Sequence, residues 1–199
     1  MLEPDWKQER PTTKEISKMW GSIQFEPSKF ENEMVTDVIA QMRQILSDEY
    51  CLFKTYEVSQ DRIFDWFASR SRWDEINFFN KFLTSPKVLN ELFESAVRVD
   101  RERVNQFSWV DPLTLDGEVA RVLVAGSVYL DFEGTPIQAK ELGLQFCKGL
   151  FQERYLEIEV YKSREAWSDW FFDPGSIGTF IIIDKRHRLI HMICYTDTD

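Results

Sequence analysis

The strongest constraint on this chain is a pair of apolar runs near its end, Phe180-Ile181-Ile182-Ile183 and Leu189-Ile190-His191-Met192-Ile193-Cys194-Tyr195. The wholly polar Asp184-Lys185-Arg186-His187-Arg188 separates them. A strand with one wet face alternates apolar and polar side chains. These runs do not, so each needs cover on both faces and belongs at the centre of a sheet. The polar five read as a hairpin loop, although they lack the Asn-Gly or Asp-Gly pair of the tightest hairpins.

Just upstream, Tyr155 to Lys162 alternates with period two. Leu156, Ile158 and Val160 share one face, and Tyr155, Glu157, Glu159 and Tyr161 the other, which predicts a strand. Ser163 to Phe172 reads as a helix capped by Ser163, with Trp167, Trp170 and Phe171 on one side and Asp173-Pro174-Gly175 as its stop.

Residues 1–27 are polar, punctuated by Pro4, Pro11, Gly21 and Pro27. They predict an irregular N-terminal arm with one turn of helix near Thr13–Trp20, pinned to the body by Trp6, Trp20 and Phe25. Residues 28–199 read as a single α+β domain with a helical subregion at 59–107. Ser28 and Glu31 form a capping-box pattern that opens a helix reaching Ser47. Its apolar stripe is Phe30, Met34, Val38, Met42 and Ile45. Cys51 to Tyr56 reads as a strand. Helical patterns follow over Gln60–Arg70, Arg72–Leu83 and from Ser85-Pro86 to Val97. The Arg98–Arg103 stretch is a solvated charged face, and Trp109-Val110-Asp111-Pro112 a turn. Asp116–Leu130 fits strand and helix templates almost equally; helix is the reading adopted. Thr135 and Pro136 cap and open another helix, ending near Phe151. The predicted architecture is α+β: about six helices around a four-stranded sheet, mixed or antiparallel, with the C-terminal hairpin central.

Aromatic residues make up 15% of the chain, enough apolar surface to exclude disorder. No apolar run is long enough for a membrane helix, and the first residues lack the pattern of a signal peptide. Cys51, Cys147 and Cys194 are odd in number and widely spaced, which predicts reduced, buried thiols in a cytoplasmic protein. The net charge of -10 is shared by both halves of the chain, so phosphate-driven binding of nucleic acid is disfavoured.

No phosphate loop, nucleophile elbow or metal-spaced cysteine pair is present, and no cofactor is implied. His187 and His191 do not share a helical face, and His191 and Cys194 fall on opposite sides of one strand, so neither pair suggests chemistry. Asp197 and Asp199 are two carboxylates near the end of the sequence, read as an exposed polar end and not a cation site. Candidate partner-binding residues are Trp167 and Trp170 with Asp169 and Asp173, and the basic loop residues Lys185, Arg186 and Arg188.

Two functional readings follow. The first is an acidic protein-binding module acting on a basic partner; in composition it resembles immunity and inhibitor proteins. The second is an enzyme or small-ligand binder using dispersed carboxylates that no motif reveals.

Overall fold

The computed structural model describes residues 3–172 and 176–197. In chain order its elements are α1 (Thr13–Trp20), β1 (Phe25–Pro27), α2 (Glu33–Leu46), β2 (Cys51–Val58), α3 (Arg62–Ala68), α4 (Phe78–Leu83), α5 (Pro86–Leu92), β3 (Ser108–Val110), α6 (Leu115–Ala125), α7 (Pro136–Phe151), β4 (Ile158–Ser163), β5 (Gly178–Asp184) and β6 (Leu189–Tyr195). The strands form one sheet in the order β1-β2-β6-β5-β4-β3, with every neighbouring pair antiparallel. The apolar hairpin β5–β6 sits at its centre.

Successive strand residues point to opposite faces, so the sheet divides two cores between them. Tyr56, Tyr161, Ile181, Ile183, Ile190 and Met192 face an aromatic core. That core is completed by Met19 of α1, Phe64 and Phe67 of α3, Phe78 and Phe82 of α4, and Trp73 and Trp167. Phe53, Phe180, Ile182, Ile193 and Tyr195 face a second core closed by α2, α6 and α7. The helices of 59–107 thus pack on one face of the sheet.

α7 lies close to both of its neighbours because of two glycines. A methyl group at Gly143 would sit 2.0 Å from the Asp116 carbonyl oxygen on α6, and one at Gly149 would sit 2.7 Å from Val35 Cγ2 on α2. Its start is the predicted one: Thr135 Oγ1 accepts from Gln138 N, Gln138 Oε1 accepts in turn from Thr135 N, and Pro136 follows. Asp116–Leu130 is helical from Leu115 to Ala125 and ends at Gly126, whose φ is 67°.

Several expectations are corrected. The sheet has six strands, because three-residue β1 and β3 are too short to show a period; Trp109 lies in β3 and not in a turn. α2 starts one turn later than Ser28, at Asn32, whose side chain accepts from Val35 N. Arg72–Leu83 breaks at Asn77, whose left-handed φ of 53° separates a 3-10 turn from α4. The helix after Ser85 stops at Leu92. β4 begins only at Ile158, and Leu156, expected on its buried face, is 99% exposed in a preceding 3-10 turn. Trp20 and Phe25 anchor the N-terminal segment, Trp20 by donating from Nε1 to the Ile76 carbonyl at 3.0 Å, but Trp6 is 79% exposed.

The predicted helix over Ser163–Phe172 does not form. Its backbone bonds elsewhere: the Trp167 carbonyl accepts from Asp100 N at 2.8 Å, Asp169 N donates to the Arg98 carbonyl at 3.1 Å, and Ser168 bridges Val99. Helical spacing of aromatic residues was a local signal overridden by a distant segment that satisfies the same donors and acceptors. The expected stop, Asp173-Pro174-Gly175, lies outside the described residues.

Candidate functional site

Two carboxylates are buried within the sheet, and both are occupied by this chain's own donors. Glu159 on β4 faces the aromatic core and accepts from Ser71 Oγ at 2.5 Å, Trp73 Nε1 at 2.5 Å and Tyr161 OH at 2.8 Å, while pairing with Lys185 Nζ. Asp184 ends β5 and accepts from Arg154 Nη2 at 2.8 Å and from the backbone N–H of His187 at 3.0 Å; His187 Nδ1 lies 2.9 Å from its other oxygen. Burial alone would raise the Asp184 pKa, but Arg154 and His187 outweigh it and hold the carboxyl below its usual range.

These bonds consume the basic loop. Lys185 is buried on Glu159, and Arg186 pairs with Glu157. Arg188 binds Asp65 at 2.7 Å and donates to the carbonyls of Val58 and Ser59 at 3.0 and 2.7 Å, tying the hairpin to the end of β2. Each of the three cations thus has a carboxylate of its own chain.

The tryptophan segment lies at the other end of β5, roughly 20 Å away at the rise of a strand. Trp167 is a core residue, fully buried, with Nε1 donating to Thr179 Oγ1 at 2.8 Å. Its ring therefore cannot serve as a surface anchor. Trp170 is half-buried against Phe93 and Phe171, and exposed Asp169 accepts from Arg98 N at 2.8 Å. Asp173 lies outside the described residues. The two groups of candidate residues are not brought together.

Cys51, Cys147 and Cys194 are buried and form no disulfide. Burial pushes the Cys147 thiol up to about 12 and the Cys194 thiol well above its usual range. Cys194 faces the aromatic core, and His191 lies on the opposite side of β6. Among the described residues no group of His, Cys, Asp and Glu is placed to hold a metal ion. Asp197 is buried and accepts from Val128 N at 2.8 Å; Asp199 lies outside the described residues. No described helix is long and apolar enough to cross a membrane.

Two adjoining open features lie on the α2–α7 side. A cleft of about 680 Å³ runs between α2 and α7, walled by Phe132, Glu133 and Gly134. Asp37 from α2, Glu133 from the wall and Glu141 from α7 converge on it, and no basic residue lines it. All three carboxylates are exposed and have no ion pair among the described residues. Phe132 and Leu142 give it an apolar lining that continues into the core beneath. Ala40 joins it to a second cavity of about 920 Å³, lined by Ile39, Leu46, Tyr50, Phe53, Tyr129 and Leu130 among others. Val128, Tyr129 and Leu130 stand exposed at its rim.

This cleft was not foreseen from the sequence. Its one local signal is the polar spacing Asp37–Gln41 on α2 and Gln138–Glu141–Gln145 on α7, which places each set on one helical face. That the two faces meet depends on a packing of helices about 100 residues apart, set by Gly149. No protein-family model matches the chain, and neither does any curated protein sequence.

Proposed function

We propose that this protein is a binding module whose acidic cleft between α2 and α7 receives a basic segment of a protein partner, in the manner of an inhibitor. The observation that carries this reading is the unpaired state of Asp37, Glu133 and Glu141 around the apolar lining of Phe132 and Leu142. Carboxylates engaged by their own chain have little left to offer a partner; these three are free to meet one. The net charge of -10 speeds encounter with a basic protein, while affinity comes from apolar anchors entering the adjoining cavity beside Tyr129 and Leu130. Enzymatic use of dispersed carboxylates draws less support, because buried Glu159 and Asp184 are saturated and line none of the described cavities.

Affinity capture from native lysate with the wild-type chain and with an Asp37→Lys/Glu141→Lys variant tests the reading. A basic protein retained by the first and lost by the second is expected. The same protein retained equally by both would overturn the assignment of the cleft.

A further inference from the structure

The N-terminal segment lies across α3 and leaves a row of small cavities there. Two of them carry carboxylates: Glu3, Asp5 and Asp65 in one, Glu9 and Glu15 in the other. A third, of about 380 Å³, is lined by Trp6, Gln8, Arg10, Trp66, Arg70 and Arg72, and by no carboxylate.

Its arginines are held in place and are only partly neutralised. The Arg70 guanidinium lies 4.1 Å from the Trp66 ring centre and 5.2 Å from that of Trp6, and Arg72 lies 5.5 Å from Trp66. Arg70 donates to the backbone carbonyls of Trp66 at 3.0 Å and Asp5 at 2.5 Å, and has no ion pair among the described residues. Arg10 and Arg72 share a single carboxylate, Glu75, at 2.7 and 3.3 Å. Three guanidinium charges thus face one carboxylate in a protein whose net charge is -10. Trp6 leaves 79% of its surface open beside them. A ring that served only to pin the segment would be covered.

We propose that this cavity binds a small anion of the mononucleotide class, with its phosphate on Arg10, Arg70 and Arg72 and its planar base stacked on Trp6. Guanidinium groups match phosphate oxygens in planar, bidentate geometry. An exposed indole offers a stacking face to any base. The volume falls within the range of small-ligand sites. The flanking Glu3, Asp5, Glu9 and Glu15 would repel the continuous phosphate backbone of a polynucleotide, which favours a single nucleotide.

Titration of the full chain with AMP, read on the indole N–H resonances of Trp6 and Trp66, tests the site. A saturable shift of both is expected. Trp6→Ala, at an exposed position that the fold does not need, should weaken AMP by about tenfold or more, in keeping with the worth of one stacked base. Arg70→Gln should weaken it, and Glu75→Gln, which frees Arg10 and Arg72, should strengthen it. Adenosine and inorganic phosphate, tested separately, should each bind more weakly than AMP. The proposal is overturned if AMP gives no saturable shift, if Trp6→Ala binds it unchanged, or if inorganic phosphate matches AMP. A single-stranded oligonucleotide that binds more tightly than AMP would overturn the assignment to a mononucleotide.

Discussion

Thr55 Oγ1 on β2 lies 2.9 Å from Nδ1 of His191, its direct cross-strand partner on β6. The imidazole packs between Phe30 and Phe53, with ring centres 4.7 and 6.2 Å away, and its Nε2 has no hydrogen-bond partner among the described residues. Burial lowers the His191 pKa to about 4; Asp184 opposes the shift, and Arg154 and His187 reinforce it.

The first prediction concerns acid stability. Folding holds His191 neutral, whereas the unfolded chain protonates it near its ordinary value of 6.5. The unfolded state therefore binds the extra proton, and stability falls as pH drops from 6.5 towards 4, by roughly 3 kcal/mol in all. Urea unfolding across this range should show a steeper loss for wild type than for His191→Gln. Parallel curves would exclude His191 as the cause.

A second prediction concerns Glu159 and Lys185. Glu159→Gln keeps the shape of the side chain and leaves the buried Lys185 ammonium without its carboxylate, at a cost of ~3–5 kcal/mol. Adding Lys185→Met should recover most of that loss, because the stranded charge is gone. Urea midpoints of the single and double variants measure the coupling; additive losses would mean that the pair is not the source.

The third prediction concerns helix spacing. Gly143→Ala would drive a methyl group into the Asp116 carbonyl and force α6 and α7 apart, costing ~1–3 kcal/mol as overpacking does. Gly117→Ala on α6 meets only the end of the Lys140 side chain, at 3.3 Å. It should be neutral or stabilising by up to about 1 kcal/mol, through helix propensity. Thermal unfolding should come at a lower temperature for Gly143→Ala and at an unchanged or higher one for Gly117→Ala.

A fourth prediction weighs the central hairpin against its loop. Ile182 and Ile193 are fully buried, so Ile→Ala at either should cost ~2–5 kcal/mol. Arg186→Ala, at an exposed loop position, should move the urea midpoint far less. Equal shifts for Ile193→Ala and Arg186→Ala would remove β6 from the centre of the sheet.

What the sequence made legible was whatever depends on local pattern. The doubly apolar runs placed β5 and β6 at the centre, and Thr135-Pro136 marked the start of α7, because cap chemistry and two-sided burial leave marks in neighbouring residues. What failed depends on distant partners. The Trp167 segment had helical spacing, but Arg98 to Asp100 claimed its backbone. β1 and β3, at three residues each, carry no period and exist through their pairing with β2 and β4. The basic loop looked like an open cation cluster because its partners Asp65, Glu157 and Glu159 lie far from it in sequence. The acidic cleft as a whole leaves no local mark in the sequence for the same reason, since neither helix alone encloses it.

The strand order has a kinetic consequence. β2 is joined to the rest of the sheet through β6, and Thr55 meets His191 across 136 positions of sequence. Closing so long a loop costs entropy before any contact rewards it, so this pairing belongs late in folding. Until β6 docks on β2, the β5–β6 hairpin leaves β2 and β6 each with an unpaired edge, and on β6 that edge carries the largely apolar run Leu189–Tyr195. Chains that stall at this stage, or that are cut ahead of Leu189, would therefore offer neighbouring chains a ready template for strand pairing, and self-association of such species is the hazard this topology carries.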